Sequence, residues 1–169
     1  MKTSANGISF IKNEEGYRLT VYKDIYGNLT VGYGHKVVPG DNLKLGDTIT
    51  QARADQFFAN DIVTKAENAV NALSCVSKLA QDQFDALASI TYNAGAGVLA
   101  TNDMVTMFNT YAIFPGNFGP FLPSEIDNAS RVVSKAFSYD RNLQPRRNRE
   151  ATLFCTGERY SHIYPVYTL

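Results

Sequence analysis

Two acids and a threonine with the makings of a reaction centre fall in one stretch, "NEEGYRLTVYKDIYGNLTVGYGH", residues 13–35. Glu15 stands just before a glycine, Asp24 closes an alternating run, and Thr30 lies beyond the turn-forming "IYGN". Glycoside hydrolysis commonly uses two carboxyls in unlike surroundings. One stays protonated to donate to the leaving oxygen, and the other stays ionised, as a base toward water or as a nucleophile. Glu15 suits the first role, because at a helix C-terminus the dipole disfavours a carboxylate, and partial burial acts in the same direction. Asp24, beside a turn where water can reach it, suits the second, with the Thr30 hydroxyl across the hairpin able to fix that water. Gly32 and Gly34 alternate onto the face of Thr30, so a bulky ligand could approach their backbone. Taken singly, each residue has an ordinary structural explanation in turn chemistry or strand propensity. Their joint spacing singles them out.

These side chains need a scaffold, and the local signals supply one. "SANGISFIKNEEG" reads as a short helix that Ser4 or Asn6 can cap and Gly16 can end in the left-handed region. "YRLTVYKD" and "LTVGYGH" read as two strands joined by turn residues. After the loop "VVPGDNLKLGDTIT", Thr50 is a plausible N-cap for a helix over 51–73. There Phe58, Ile62, Ala66, Val70 and Leu73 recur at helical spacing. At about 1.5 Å per residue that helix is roughly 35 Å long, enough to bridge two lobes. Further helices are predicted over 78–93, near 98–111 and 124–138, and over 145–156, the last with Pro145 in its first turn and Gly157 past its end. An aromatic, proline-rich loop, "AIFPGNFGPFLP", occupies 112–123. The expected fold is α+β and helix-dominated. It comprises an N-terminal lobe over about 14–50 with a β-hairpin, the long bridging helix, and a helical C-terminal lobe over about 74–169 that includes the first helix.

Bulk properties narrow the function classes. At 169 residues the chain can build one domain with a substantial core. Sixteen basic residues balance sixteen acidic ones, so no global field favours nucleic acid. No run of 18 or more apolar residues suggests a membrane span, and the start lacks the apolar centre of a secretory signal. Synthesis in the cytoplasm is therefore expected. Cys75 and Cys155 suggest neither a metal cluster nor a disulfide scaffold and are expected to be reduced, structural thiols.

The blocks "EGYRL", "YKD" and "GNLTVGYGH", with no insertion between them, resemble the phage-type (T4-like) lysozymes, glycoside hydrolase family 24. "FDALASITYNAGAG" resembles that family's central helix and "RRNREATLFCTG" its closing one. The likeness thins between 104 and 142. The resemblance implies Glu15 as proton donor, Asp24 as the residue that positions or activates water, and Thr30 as its partner in holding that water. It implies cleavage, with inversion, of the β-1,4 bond between N-acetylmuramic acid and N-acetylglucosamine in bacterial peptidoglycan, and no metal or organic cofactor. It also suggests that His35 pairs with Asp61 on the long helix, and that either Arg146 or Arg147 reaches Glu15. The family often carries tryptophan in its C-terminal lobe, and this chain has none; Tyr33, Tyr139 and the phenylalanines of 112–123 could supply apolar contacts instead. Asn142 stands where a glycine is usual.

The expected partners are the glycan strands of peptidoglycan, met by a monomer. The wall would be reached after holin-type release into the periplasm or by delivery as an effector or toxin domain. Two other classes compete: a non-catalytic wall- or partner-binding module, and a lytic transglycosylase that forms an anhydro product without water. Asp24 and Thr30 favour hydrolysis, since the transglycosylase route can dispense with a water-positioning aspartate.

Overall fold

The computed structural model describes residues 1–110, 132–138 and 141–155. The predicted loop 112–123, most of the helix predicted near 124–138, and Tyr139 lie outside the described residues. Helix α1 spans Ala5–Glu15, with the Ser4 side chain accepting from the Gly7 N–H at its start. It stops at Gly16, whose φ of +60° suits glycine and whose N–H bonds back to Lys12 O. Glu15 is therefore the last helical residue.

Strands β1 (Arg18–Lys23), β2 (Leu29–Gly32) and β3 (His35–Lys36) form an antiparallel sheet in chain order. Tyr22 faces Thr30 across the first pair, and Thr30 in turn faces Lys36 across the second. The second predicted strand is thus two strands. Gly32 and Gly34 take φ of +64° and +81° and fold "GYG" into a tight turn that alternation alone does not reveal.

The bridging element begins at Thr50, whose side chain caps the N–H of Arg53. It runs as α2 (Gln51–Ile62), a π-helical turn (Val63–Glu67) and α3 (Asn68–Asn71). The predicted apolar stripe is its buried face: Phe58, Ile62, Ala66 and Val70 are all buried. Helix α4 (Gln81–Ala94) is the core of the C-terminal lobe, with every residue from Gln83 to Tyr92 buried. Helix α5 (Asn102–Thr110), a helical segment α6 at 132–137 and α7 (Gln144–Cys155) complete the described lobe. Helix α1 packs on α4, which in turn carries α7. The first helix is fastened there by Asp85 of α4, which accepts from the Ser4 N–H at 2.9 Å and from the Ser4 hydroxyl. A Cβ on Gly7 would stand 2.5 Å from Asp85 Cγ, so only glycine lets the helices approach this closely. Cys75 and Cys155 are free, and burial pushes the Cys155 thiol up to about 11.

Candidate active site

The end of α1, the β2–β3 turn, the bridging helix and the end of α4 surround a cleft of about 490 Å³. Glu15, Gly34, Lys36 and Lys65 line it from one side, and residues 91–96 from the other. Glu15 enters as the final residue of α1, its side chain only 16% exposed. Its Oε1 lies 2.8 Å from Arg146 Nη2, a close ionic contact rather than a well-aligned hydrogen bond. On the other side, a Cβ on Gly34 would stand 3.7 Å from Glu15 Oε2, so the glycine leaves room beside the carboxylate.

Of the two candidate arginines, Arg146 is the one that meets Glu15. It also donates from Nε to Glu150 Oε1 at 3.0 Å and from Nη2 to the Ser89 carbonyl at 3.4 Å. Burial works against its charge, but Glu15 and Glu150 outweigh it and hold the guanidinium above its ordinary value. Arg147 faces Glu150 Oε2 at 3.1 Å and donates to Asn93 Oδ1 at 2.8 Å. Glu150 is fully buried, takes a 2.6 Å bond from the Ser89 hydroxyl and serves both arginines. Sequence reasoning missed it. The signal was present in the spacing Arg146-Arg147-x-x-Glu150, which puts the carboxylate on the helical face of both cations. A second salt link reinforces the α1–α7 contact: Arg149 grips Glu14 through Nε and Nη2 at 2.5 and 2.7 Å.

Asp24 sits at the hairpin tip, where its Oδ1 accepts from the N–H groups of Tyr26 and Asn28 and its Oδ2 from Asn28 Nδ2. The Asn28 side chain, the two backbone donors and the nearby Lys36 ammonium together hold the Asp24 carboxyl below its usual range. Thr30 is buried in β2, and its hydroxyl donates a long 3.4 Å bond to Asn28 O. Asp24 and Thr30 thus share one hairpin, while Glu15 faces the cleft beside the following turn.

The predicted pair of His35 and Asp61 is present. His35 Nδ1 lies 3.1 Å from both Asp61 oxygens, and its ring stacks on Phe57 with centroids 4.0 Å apart. A second acid was not foreseen: Asp41 Oδ2 lies 3.1 Å from Nε2 and also accepts from the Val38 N–H. Burial raises the Asp41 carboxyl, but Val38 and His35 prevail and leave it low.

Two of the expected ligand contacts are taken by the protein itself. Gly32 faces helix α2, where a Cβ would stand 3.3 Å from Ala54 Cβ, so the close approach there is helix packing. Tyr33 is buried against Phe58 and Tyr17 rather than open to a ligand. Its hydroxyl accepts from Gln51 Nε2, and its carbonyl accepts from the Tyr92 hydroxyl, both at 2.9 Å. Burial pushes the Tyr92 phenol far up, so it remains a proton donor. No group of His, Cys, Asp and Glu among the described residues is arranged to hold a metal ion, and no helix among them is long and apolar enough to cross a membrane.

A family model described as phage lysozyme matches residues 12–116, which include Glu15, the hairpin and the bridging element. The endolysin of Salmonella phage P22 is 34% identical over 155 residues, spanning 91% of this chain and 98% of that protein. The endolysin of Bacillus phage B103 is 32% identical over 160 residues, covering 94% of this chain and 56% of its relative. Among solved structures, a mutant of P22 lysozyme superposes with a TM-score of 0.65 at 29% identity, over 91% of this chain and 98% of that one. The muramidase domain of SpmX from Asticaccaulis excentricus gives 0.64 at 26%, over 90% and 97%. With the family model spanning more than half the chain and a relative matched over nearly its whole length, the chain belongs to the phage lysozyme family.

Proposed function

We infer that the protein is a lysozyme-type peptidoglycan hydrolase that lyses bacterial cells, and that it cleaves the β-1,4 bond between N-acetylmuramic acid and N-acetylglucosamine. The observation behind the site assignment is the Glu15 carboxyl in the cleft wall, between the Arg146 guanidinium and Gly34. Glu15 gives its proton to the glycosidic oxygen as the bond to the anomeric carbon breaks. The carboxylate left behind is met by Arg146, which stabilises the charge that forms in this step. Asp24, held ionised by its hairpin donors, takes a proton from the attacking water, and the Thr30 hydroxyl orients that water. Attack from the face opposite the leaving group inverts the anomeric centre. The chain acts as a monomer on glycan strands, made in the cytoplasm and admitted to the periplasmic wall by a lesion or by delivery.

Clearance of purified Gram-negative peptidoglycan by the wild type and by Glu15→Gln, both checked for folding, tests this assignment. Clearance by the wild type alone supports it. Equal clearance by both removes Glu15 as the donor, and clearance by neither removes the hydrolase function on this wall. Major products lighter by one water would replace hydrolysis with the transglycosylase route.

A further inference from the structure

The cleft wall carries two lysines, Lys36 and Lys65, and the proposed proton transfer passes through neither. Lys65 lies in the π-helical turn Val63–Glu67 of the bridging element, the one departure from α-geometry between Gln51 and Asn71. Such turns often occur at functional sites. The ammonium makes three contacts that converge on the catalytic wall. It donates to Asp61 Oδ2 at 2.6 Å and to the Gly34 carbonyl at 3.3 Å, and it sits 5.1 Å from the centre of the Tyr92 ring. Asp61 is the acid that holds His35 at the start of β3.

We propose that Lys65 is a positioning residue, clamping the β2–β3 turn so that Gly34 stays against the Glu15 carboxyl in its reactive orientation. The turn is pinned at two successive carbonyls from different elements. Tyr92 of α4 holds Tyr33 O, and Lys65 of the bridging turn holds Gly34 O. Gly34 is left-handed and therefore poorly restrained by its own backbone preferences. Without the ammonium, its carbonyl loses a charge-assisted donor, and Asp61 keeps only His35 among these partners. The turn can then drift toward or away from the proton donor. A small displacement at a reacting group has a large effect on rate, because the donor must stay within hydrogen-bond reach of the leaving oxygen. The Lys65 side chain is 33% exposed, and its contacts to the Gly34 carbonyl and the Asp61 carboxylate are the route by which it bears on the chemistry.

The proposal rests on Glu15 being the proton donor, and the test separates the two. Initial rates on soluble, uncross-linked peptidoglycan glycan strands are compared for the wild type, Lys65→Met, Lys65→Gln and Lys65→Arg, at a temperature where circular dichroism shows all of them folded. The expected result is a fall in kcat of about tenfold for Lys65→Met with KM within about twofold. Lys65→Arg, which keeps the charge and the donors, should recover most of the rate. Should Lys65→Met fail to fold, Lys65→Gln, uncharged but still a donor, replaces it, with the same loss expected. Unchanged kcat in the folded uncharged variant, or a loss residing wholly in KM, overturns the positioning role while Glu15→Gln still reports on the donor. A wild type inactive on these strands removes the hydrolase reading and this inference with it.

Discussion

Arg146 and Glu15 lie 2.8 Å apart, joining the last described helix to the end of the first. The two buried arginines beside each other in sequence therefore have separate roles: Arg146 faces the proposed proton donor, and Arg147 faces Glu150 and Asn93. Arg146→Ala removes the positive charge that meets the carboxylate formed when Glu15 gives up its proton, so kcat should fall by about tenfold in the folded variant. Arg147→Ala should leave kcat per folded molecule near that of the wild type and lower the melting temperature instead. Turnover matching the wild type in folded Arg146→Ala would contradict the assignment.

His35 has a carboxylate at each ring nitrogen and an aromatic ring against its face. His35→Asn keeps a polar group but cannot span Asp61 and Asp41 together. Losing partly buried contacts to charged groups should lower the melting temperature at pH 6 by about 5 °C. An unchanged value would mean that this cluster does not hold the hairpin to the bridging helix.

The Glu14–Arg149 link predicts an acid-sensitive increment of stability. The Arg149 hydrogen bond comes first in holding Glu14 below its usual range, with further help from the Arg146 and Arg147 charges, against the opposing effect of burial. A depressed carboxyl stabilises the fold above its unfolded value, about 4.3, and loses that contribution as pH falls through the folded value. Since Arg149 is more than half exposed, the increment is small, on the order of 0.5 kcal/mol. Urea denaturation at pH 6 and pH 3 should show the wild type losing more stability than Glu14→Gln by about that amount. Equal losses would show that the pair contributes nothing.

Gly32 and Gly34 share a left-handed backbone and differ in what lies beside them. Gly32→Ala must strain the turn and push on Ala54, so it should cost about 1–2 kcal/mol while leaving activity per folded molecule near that of the wild type. Gly34→Ala carries similar strain but places its methyl at the cleft wall beside Glu15, so its turnover should fall by about tenfold. Activity losses in the reverse order would exchange the two roles.

Much of this architecture was legible because its signals are local. Ser4, Gly16 and Thr50 mark helix ends through capping chemistry, and the stripe from Phe58 to Val70 marks a buried helical face. The motif around Glu15, Asp24 and Thr30 survives as a hairpin beside a helix end. What escaped notice depends on residues distant in sequence, or on backbone that alternation does not encode. The turn at Gly32 and Gly34 reads as strand because its flanks alternate. Asp41 looks like loop polarity until a 3-10 turn carries it to His35. The π-turn has no compositional signature at all. Glu150 passes as one more surface acid until α4 and α7 are packed together.

Glu14 and Arg149 are 135 positions apart, and the link between Glu15 and Arg146 spans almost as much of the chain. A ribosome translating this message thus releases the entire Glu15-Asp24-Thr30 motif long before it has made the cation that the donor faces. The nascent chain can form its hairpin early, yet the donor helix has no complete seat until α4 and then α7 have emerged. Premature termination anywhere between residues 31 and 145 would yield a polypeptide with Glu15, Asp24 and Thr30 and no Arg146. Catalytic competence would thus arrive only once Arg146 has been made, more than a hundred residues after the motif itself.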